Sequence, residues 1–159
     1  MRWENSIAME KKIAIVVGSK SDIPYIDGAK EILDSFGVSY EVMVMSAHRT
    51  LDKTMRFAQE AEAKGFAVII ACAGMAAHLP GVIAAKTLLP VIGVPLPTSE
   101  IKGIDALLAI VQMPAGVPVA TMAIGKAGVK NAAILAVQIL ADSNEVLKEQ
   151  LRKYKLSLG

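Results

Sequence analysis

Ala67-Val68-Ile69-Ile70-Ala71-Cys72 is the segment that most clearly indicates the fold class. It is nearly all apolar, as expected of a central strand in a parallel sheet that helices cover on both faces. The chain has two histidines: His78 follows this strand, and His48 follows another strand predicted at residues 38–45. Open α/β sheets bind ligands beyond the carboxyl ends of their strands, so both histidines are predicted at a ligand-binding edge. Histidine also titrates near neutral pH, which suits proton transfer.

Strand and helix patterns alternate along the rest of the chain. Strands are predicted at 12–17, 38–45, 67–72, 91–94 and 117–121, with Pro118 indicating an edge strand. Helices are predicted at 23–36, 50–65, 79–87, 103–111 and 129–140, the second of them capped by Thr50. Five βα units with short right-handed connections predict a single α/β domain. We expect a three-layer, doubly wound, flavodoxin-like fold with five parallel strands in the order 2-1-3-4-5.

The two ends of the chain differ from this pattern. Residues 1–11 are predicted to be a disordered extension, and residues 12–141 to form the domain. Residues 142–159 are predicted to be a tail, in which 144–154 has the charge and apolar pattern of an amphipathic helix. We expect that helix to pack on its own or a neighbouring subunit.

The composition is unusually apolar. Hydrophobic residues make up 53% of the chain and the mean hydropathy is +0.46, although aromatics are only 4%. No apolar run reaches the roughly 18 to 20 residues of a membrane-spanning helix. Residues 1–12 also lack the apolar centre of a signal peptide. We therefore expect a homo-oligomer with extensive interfaces. The apolar loop at 112–120 is expected to lie at a subunit contact or over the site.

Charge and cysteine content exclude other classes. The net charge of +2 gives no indication of a nucleic-acid partner. The single cysteine, Cys72, excludes an intramolecular disulfide and lies in an apolar run. We interpret it as a buried small hydrophobe rather than a nucleophile. A reducing cytoplasm fits this reading.

The first loop whose residues suit a ligand is Gly18-Ser19-Lys20-Ser21-Asp22, between the first strand and the first helix. Its hydroxyls and backbone N–H groups suit an anion, and Asp22 suits ribose hydroxyls. The alternative is an ordinary Ser/Asp helix cap. The loop is not a Rossmann fingerprint, and Gly125-Lys126-Ala127 is not a Walker A motif.

Two more loops carry the histidines. In Ser46-Ala47-His48-Arg49 the guanidinium suits a phosphate, and His48 would then face the body of a phosphorylated substrate. The alternative is a surface arginine beside a structurally bonded histidine. In the stretch 73–81, small residues would let a flat ring approach the backbone, and His78 either contacts the ligand or caps a helix. No Cys/His cluster or His-Glu-x-x-His motif predicts a transition-metal site.

Together these motifs resemble those of one family. The five matching segments, at compatible spacings within residues 12–141, are 18–22, 46–50, 76–81, 89–95 and 112–121. The chain resembles the class I carboxyaminoimidazole ribonucleotide mutases of purine biosynthesis. One departure is Met75, where glycine is expected in many members.

The resemblance implies a reaction without metal or organic cofactor. A carboxylate moves from the exocyclic nitrogen of an aminoimidazole ribonucleotide to a ring carbon, through decarboxylation, retention of carbon dioxide and attack by the ring carbon. His48 matches the acid/base residue. Ser19, Asp22 and Arg49 match positions that hold ribose and phosphate, and Ser46 is counted with these substrate-binding residues. Gly74 and His78 match positions near the carboxylate. The resemblance also implies a cytoplasmic enzyme that is typically an octamer.

Two alternatives remain. A class II carboxylase has the same fold but takes carbon dioxide directly, and the pattern His78-Leu79-Pro80-Gly81 favours class I over it. A flavodoxin-like nucleotide-binding or signalling module would not be catalytic. A receiver domain would need an acidic pair after the first strand, where Val16-Val17-Gly18 has none.

Overall fold

A computed structural model describes residues 11–159 of the chain. Its centre is one sheet of five parallel strands in the order β2-β1-β3-β4-β5, which confirms the predicted topology. The strands are β1 Lys12–Val17, β2 Tyr40–Val44, β3 Phe66–Gly74, β4 Val91–Leu96 and β5 Ala120–Thr121. The central strand β3 is almost wholly buried, as its apolar sequence predicts.

Helices cover both faces of the sheet. They are a 3₁₀ helix at Lys20–Ile26, α1 Asp27–Ser35, α2 Leu51–Glu60, α3 Leu79–Ala84, α4 Ile104–Val111, α5 Lys126–Ala141 and α6 Glu145–Leu156. Side chains of a strand alternate between its faces, and β1 contributes to a core on each side. Ile13 and Ile15 join the core beneath α1 and α5, whereas Ala14 and Val16 join the core beneath α2, α3 and α4. The result is the predicted three-layer fold.

Several predicted boundaries were wrong. The helix expected at 23–36 is two pieces, because the chain forms a 3₁₀ helix that includes Pro24 before α1 begins at Asp27. The second helix ends at Glu60 rather than 65, and the chain leaves through a turn closed by Gly65 at φ +85°. Strand β5 is confirmed at the edge of the sheet, but it has only two residues. The proline at 118 has no N–H for a ladder hydrogen bond, and it precedes the strand.

Thr50 precedes α2 but does not cap it with its side chain, contrary to the prediction. Its Oγ1 instead accepts a hydrogen bond from the Ser46 N–H at 2.8 Å and donates to the Ser46 carbonyl at 3.2 Å. The Thr50 side chain therefore stabilises the loop before α2 and does not serve as the N-cap of that helix.

The C-terminal residues form a helix that packs on the same chain. Asn144 Oδ1 caps α6 by accepting a hydrogen bond from the Leu147 N–H at 3.1 Å. Leu147 and Leu151 are buried in the core beneath α1 and α5, and the Tyr154 ring meets Phe36 edge-on. The division at 141/142 stays a prediction, and the extension predicted at 1–11 lies, except for Lys11, outside the described residues. No helix among residues 11–159 has both the length and the apolarity needed to cross a membrane.

Candidate functional site

A cavity of about 510 Å³ opens at the carboxyl edge of the sheet, where the loops after β1, β2 and β3 meet. Parallel strands all end at this edge, which is why residues far apart in sequence come together there. All seven site residues predicted from the sequence line this cavity: Ser19, Asp22, Ser46, His48, Arg49, Gly74 and His78.

The loop after β1 contributes a buried carboxylate. Asp22 is only 7% exposed, and its burial raises the pKa of the carboxyl above its ordinary value. A hydrogen bond with the Ser19 backbone and the charge of Arg49 oppose this rise. The Ser19 hydroxyl accepts hydrogen bonds from the Ser21 N–H at 3.3 Å and the Ser21 hydroxyl at 2.9 Å. This loop therefore presents an acceptor that has lost part of its hydration.

Ser46 organises the loop after β2. Its hydroxyl oxygen accepts hydrogen bonds from the backbone N–H groups of His48 and Arg49, at 3.3 and 3.1 Å. Its carbonyl accepts a hydrogen bond from the hydroxyl of Thr54 at 3.3 Å, a residue that is fully buried in α2. These bonds fasten the loop to the helix, so Ser46 fixes where the next two functional side chains begin.

Arg49 joins the first two loops. Its Nη2 donates a long hydrogen bond of 3.5 Å to the Gly18 carbonyl, while the rest of the side chain is exposed. A second cavity of about 420 Å³ adjoins the first and shares Ser19, Ser46 and Arg49 with it. Lys20 also lines this second cavity. Two cationic side chains at one opening suit an anionic group such as a phosphate.

The two histidines form a pair. His48 Nε2 lies 2.7 Å from His78 Nδ1, and the two rings meet edge to face at an interplanar angle of 77°. A hydrogen bond between two imidazoles holds one proton, because two N–H groups facing each other would repel. His78 stands at the N-terminal cap position of α3 but makes no side-chain cap bond there. Its side chain is directed to His48 instead.

Gly74 is the last residue of β3, and the close approach of Thr98 leaves no room for a side chain there. A Cβ at this position would lie 1.7 Å from Thr98 Oγ1, so no larger residue fits without rearrangement. Thr98 also lines the main cavity, and the sequence reasoning missed it. Its position shortly after the carboxyl end of β4 was the available signal, because ligand-binding residues collect at such ends.

A family comparison matches nearly all of this architecture. The model of the AIR carboxylase family matches residues 12–158, which include every residue of the cavity. The chain belongs to the AIR carboxylase family.

Two curated relatives and one solved structure are similar to the chain over most of its length. The chain is 54% identical over 143 residues to the N5-carboxyaminoimidazole ribonucleotide mutase of Saccharolobus solfataricus, covering 90% of this chain and 89% of the relative. It is 54% identical over 144 residues to the mutase of the same name from Escherichia coli K12, covering 91% and 85%. The crystal structure of Treponema denticola PurE superposes with a TM-score of 0.82 at 26% identity, covering 92% of this chain and 90% of that one. The family and fold expected from the sequence are confirmed.

Two further residues named in the sequence analysis, Met75 and Cys72, lie at or near the cavity. Met75, the residue where glycine was expected, has a left-handed backbone with φ +54° and lines the cavity. Cys72 is fully buried, as the sequence predicts, and burial raises the pKa of its thiol to about 12, which disfavours the nucleophilic thiolate at neutral pH.

The remaining site predictions concern the loop at 112–120 and metal ligands. The loop does not line the main cavity of its own chain, and most of its residues are exposed. Across residues 11–159, no three His, Cys, Asp or Glu side chains are grouped so that they could hold a metal ion.

Proposed function

We propose that this chain is an N5-carboxyaminoimidazole ribonucleotide mutase of purine biosynthesis. It moves a carboxylate from the exocyclic nitrogen of the aminoimidazole ribonucleotide to a ring carbon. One observation carries the proposal: the main cavity brings a histidine suited to proton transfer, the Arg49 cation and an apolar wall together, with Lys20 at the adjoining cavity, in a chain more than half identical to two mutases.

His48 is the proposed acid and base. As an acid it gives a proton to the exocyclic nitrogen, the bond from that nitrogen to the carboxyl carbon breaks, and carbon dioxide leaves with the electron pair remaining on nitrogen. The ring carbon then attacks carbon dioxide, and His48 takes the proton that this carbon loses. Proton transfer of this kind contributes typically about 10²–10⁴-fold to the rate.

His78 is the proposed positioning partner of His48. The 2.7 Å contact occupies Nε2 of His48 and leaves its Nδ1 for a second partner. By restricting the imidazole ring, His78 holds the acid where the substrate nitrogen will lie. Its place in the cavity wall also suits the proposed role beside the migrating carboxylate.

Asp22, Ser19 and Arg49 are proposed to hold the ribose and phosphate. The Asp22 carboxylate is a buried acceptor that would regain hydrogen bonds from ribose hydroxyls. Arg49 and Lys20 line the adjoining cavity, which suits the phosphate. Ser46 is proposed to contribute both its loop-fastening bonds and a hydroxyl at the substrate.

Carbon dioxide must stay bound between the two steps. The proposed pocket for it is the wall formed by Gly74 with the small or apolar side chains of Ala73, Ala76 and Leu79. Retention keeps the two reactants at a high effective concentration, and an apolar wall has no nucleophile to compete for the gas.

The proposed enzyme works without metal or organic cofactor, in the cytoplasm, as a homo-oligomer and specifically an octamer. Support for association comes from α4, where Ile104, Leu108 and Val111 are each about half exposed, and from the exposed apolar loop at 112–120 that follows it. Such patches on a single chain are typical of interfaces. Light scattering on the purified protein tests the assembly, with eight chains expected and one chain contradicting it.

The mutase proposal is tested by offering purified protein two substrates in parallel. One is the carboxyamino ribonucleotide alone, and the other is the unmodified aminoimidazole ribonucleotide with bicarbonate. We expect ring-carboxylated product from the first and none above background from the second. Product from the second alone would make the chain a class II carboxylase. Product from neither would favour a non-catalytic nucleotide-binding module.

A further inference from the structure

Met75 combines backbone strain with a place at the functional site. Its φ of +54° lies in the left-handed region, which glycine tolerates and long side chains rarely adopt. Hydrogen bonds from the Ala77 N–H to the Met75 carbonyl, 2.9 Å, and from the His78 N–H to the Ala76 carbonyl, 2.8 Å, hold it in two successive tight turns. The strained residue therefore connects the end of β3 to the histidine pair.

Packing does not explain the methionine. The residue is 60% exposed and belongs to neither core, so a glycine here would relieve strain without leaving a void. Strain that persists at a site is expected where the residue serves function. The other non-glycine residue with positive φ within the described residues is Lys102, which lies in a turn and does not line the cavity.

The position of Met75 suits a cover. It lines the cavity between Gly74 and Ala76, both in the proposed wall of the carbon dioxide pocket, yet most of its surface faces solvent. A residue that touches both the cavity and the solvent stands at the mouth. The thioether chain is apolar, unbranched and adaptable, so it can close over a ligand and exclude water.

We propose that the Met75 side chain covers the carboxylate pocket and retains carbon dioxide between the two chemical steps. The inference rests on the proposed mutase function. Once the nitrogen–carbon bond has broken, the bound amine and carbon dioxide have two fates. Either the ring carbon forms its bond to carbon dioxide, or the gas escapes and the unmodified aminoimidazole ribonucleotide is released. The cover favours the first fate.

The test compares wild type, Met75→Gly and Met75→Leu with the carboxyamino ribonucleotide as substrate. The readout is the amount of unmodified ribonucleotide released per ring-carboxylated product, after subtraction of spontaneous decarboxylation in a protein-free sample. We expect Met75→Gly to raise this ratio by about fivefold or more. A fivefold change corresponds to the smallest strain energy typical of one left-handed residue, and the functional benefit of the side chain should at least equal that strain. Met75→Leu keeps an apolar side chain of similar size and is expected to stay within about twofold of wild type.

Thermal unfolding of the same variants supplies the second readout. Met75→Gly is expected to melt at or above the wild-type temperature, because the strain is gone and little contact is lost. An unchanged release ratio in Met75→Gly would overturn the inference, and so would an equal increase in the leucine variant. A lower melting temperature for Met75→Gly would overturn the argument from strain. Absence of turnover in wild type would instead contradict the proposed function itself, so the two failures are distinguishable.

Discussion

The contact between Gly74 and Thr98 yields a sharp test of the site wall. In Gly74→Ala the new Cβ would lie 1.7 Å from Thr98 Oγ1, 3.0 Å from Thr98 Cβ and 3.3 Å from the Leu96 carbonyl. The backbone of Gly74 is not left-handed, so the cost is one of overpacking alone. Overpacking of this kind costs typically about 1–3 kcal/mol. In a chain of this size that corresponds to a fall in Tm of roughly 2–12 °C.

The assay is thermal unfolding followed by circular dichroism, with a matched glycine as control. A Cβ at Gly81 meets only the flexible end of Met113, at 3.1 Å or more, and Gly81 lies in α3, where alanine favours the helix. Gly81→Ala is therefore expected to leave Tm unchanged or to raise it. Thr98→Ala removes the hydroxyl oxygen, and in the Gly74→Ala background it should recover part of the loss. If Gly74→Ala melts within error of wild type, the close approach of β3 to the segment after β4 is wrong.

Three further predictions concern the cavity and its surroundings. Asp22→Asn should raise Tm at neutral pH and weaken substrate binding. Because burial raises the pKa of Asp22 above its ordinary 3.8, the ionised carboxylate destabilises the fold as pH rises through the folded-state pKa. The gain in Tm should therefore vanish at acidic pH, where Asp22 is protonated. A gain that persists unchanged in acid would contradict this. Arg49→Ala should raise KM about 10- to 100-fold with little change in kcat, as loss of a charge-assisted hydrogen bond predicts; an unchanged KM would argue against a phosphate contact. The buried Cys72 thiol, with its pKa of about 12, should react with thiol reagents only as fast as the protein unfolds, and rapid labelling of the folded protein would show that this reading is wrong.

The sheet was predictable because its signals are local. The apolar run in β3 and the β-branched run in β1 mark strands on their own, and short connections with right-handed crossovers restrict the order in which they pair. Boundaries that depend on tertiary context were not predictable. Thr50 bonds to Ser46 rather than to its own helix, and Pro24 lies within a 3₁₀ turn.

Most residues that line the site were also predictable, since loops at the carboxyl ends of parallel strands converge. The contacts between their side chains were not predictable. The 2.7 Å contact between His48 and His78 depends on the directions of two side chains that are 30 residues apart in sequence. Both lie in loops, where the periodicity of the sequence does not indicate side-chain direction. Thr98 was missed because a threonine after a strand is common, and only the Gly74 backbone reveals how closely it approaches the site.

The proposed mechanism depends on His48 as the proton carrier, and a comparison of two single substitutions examines this role. His48→Asn and His78→Asn are each assayed for turnover of the carboxyamino ribonucleotide and, separately, for substrate binding by calorimetry. We expect His48→Asn to lose about 10²–10⁴-fold in kcat while binding stays within a few-fold of wild type. His78→Asn, which removes the positioning partner and a group beside the carboxylate but leaves the proton carrier in place, should lose clearly less. Near wild-type turnover in His48→Asn, or a larger loss in His78→Asn, would contradict the assignment of His48 as the acid and base.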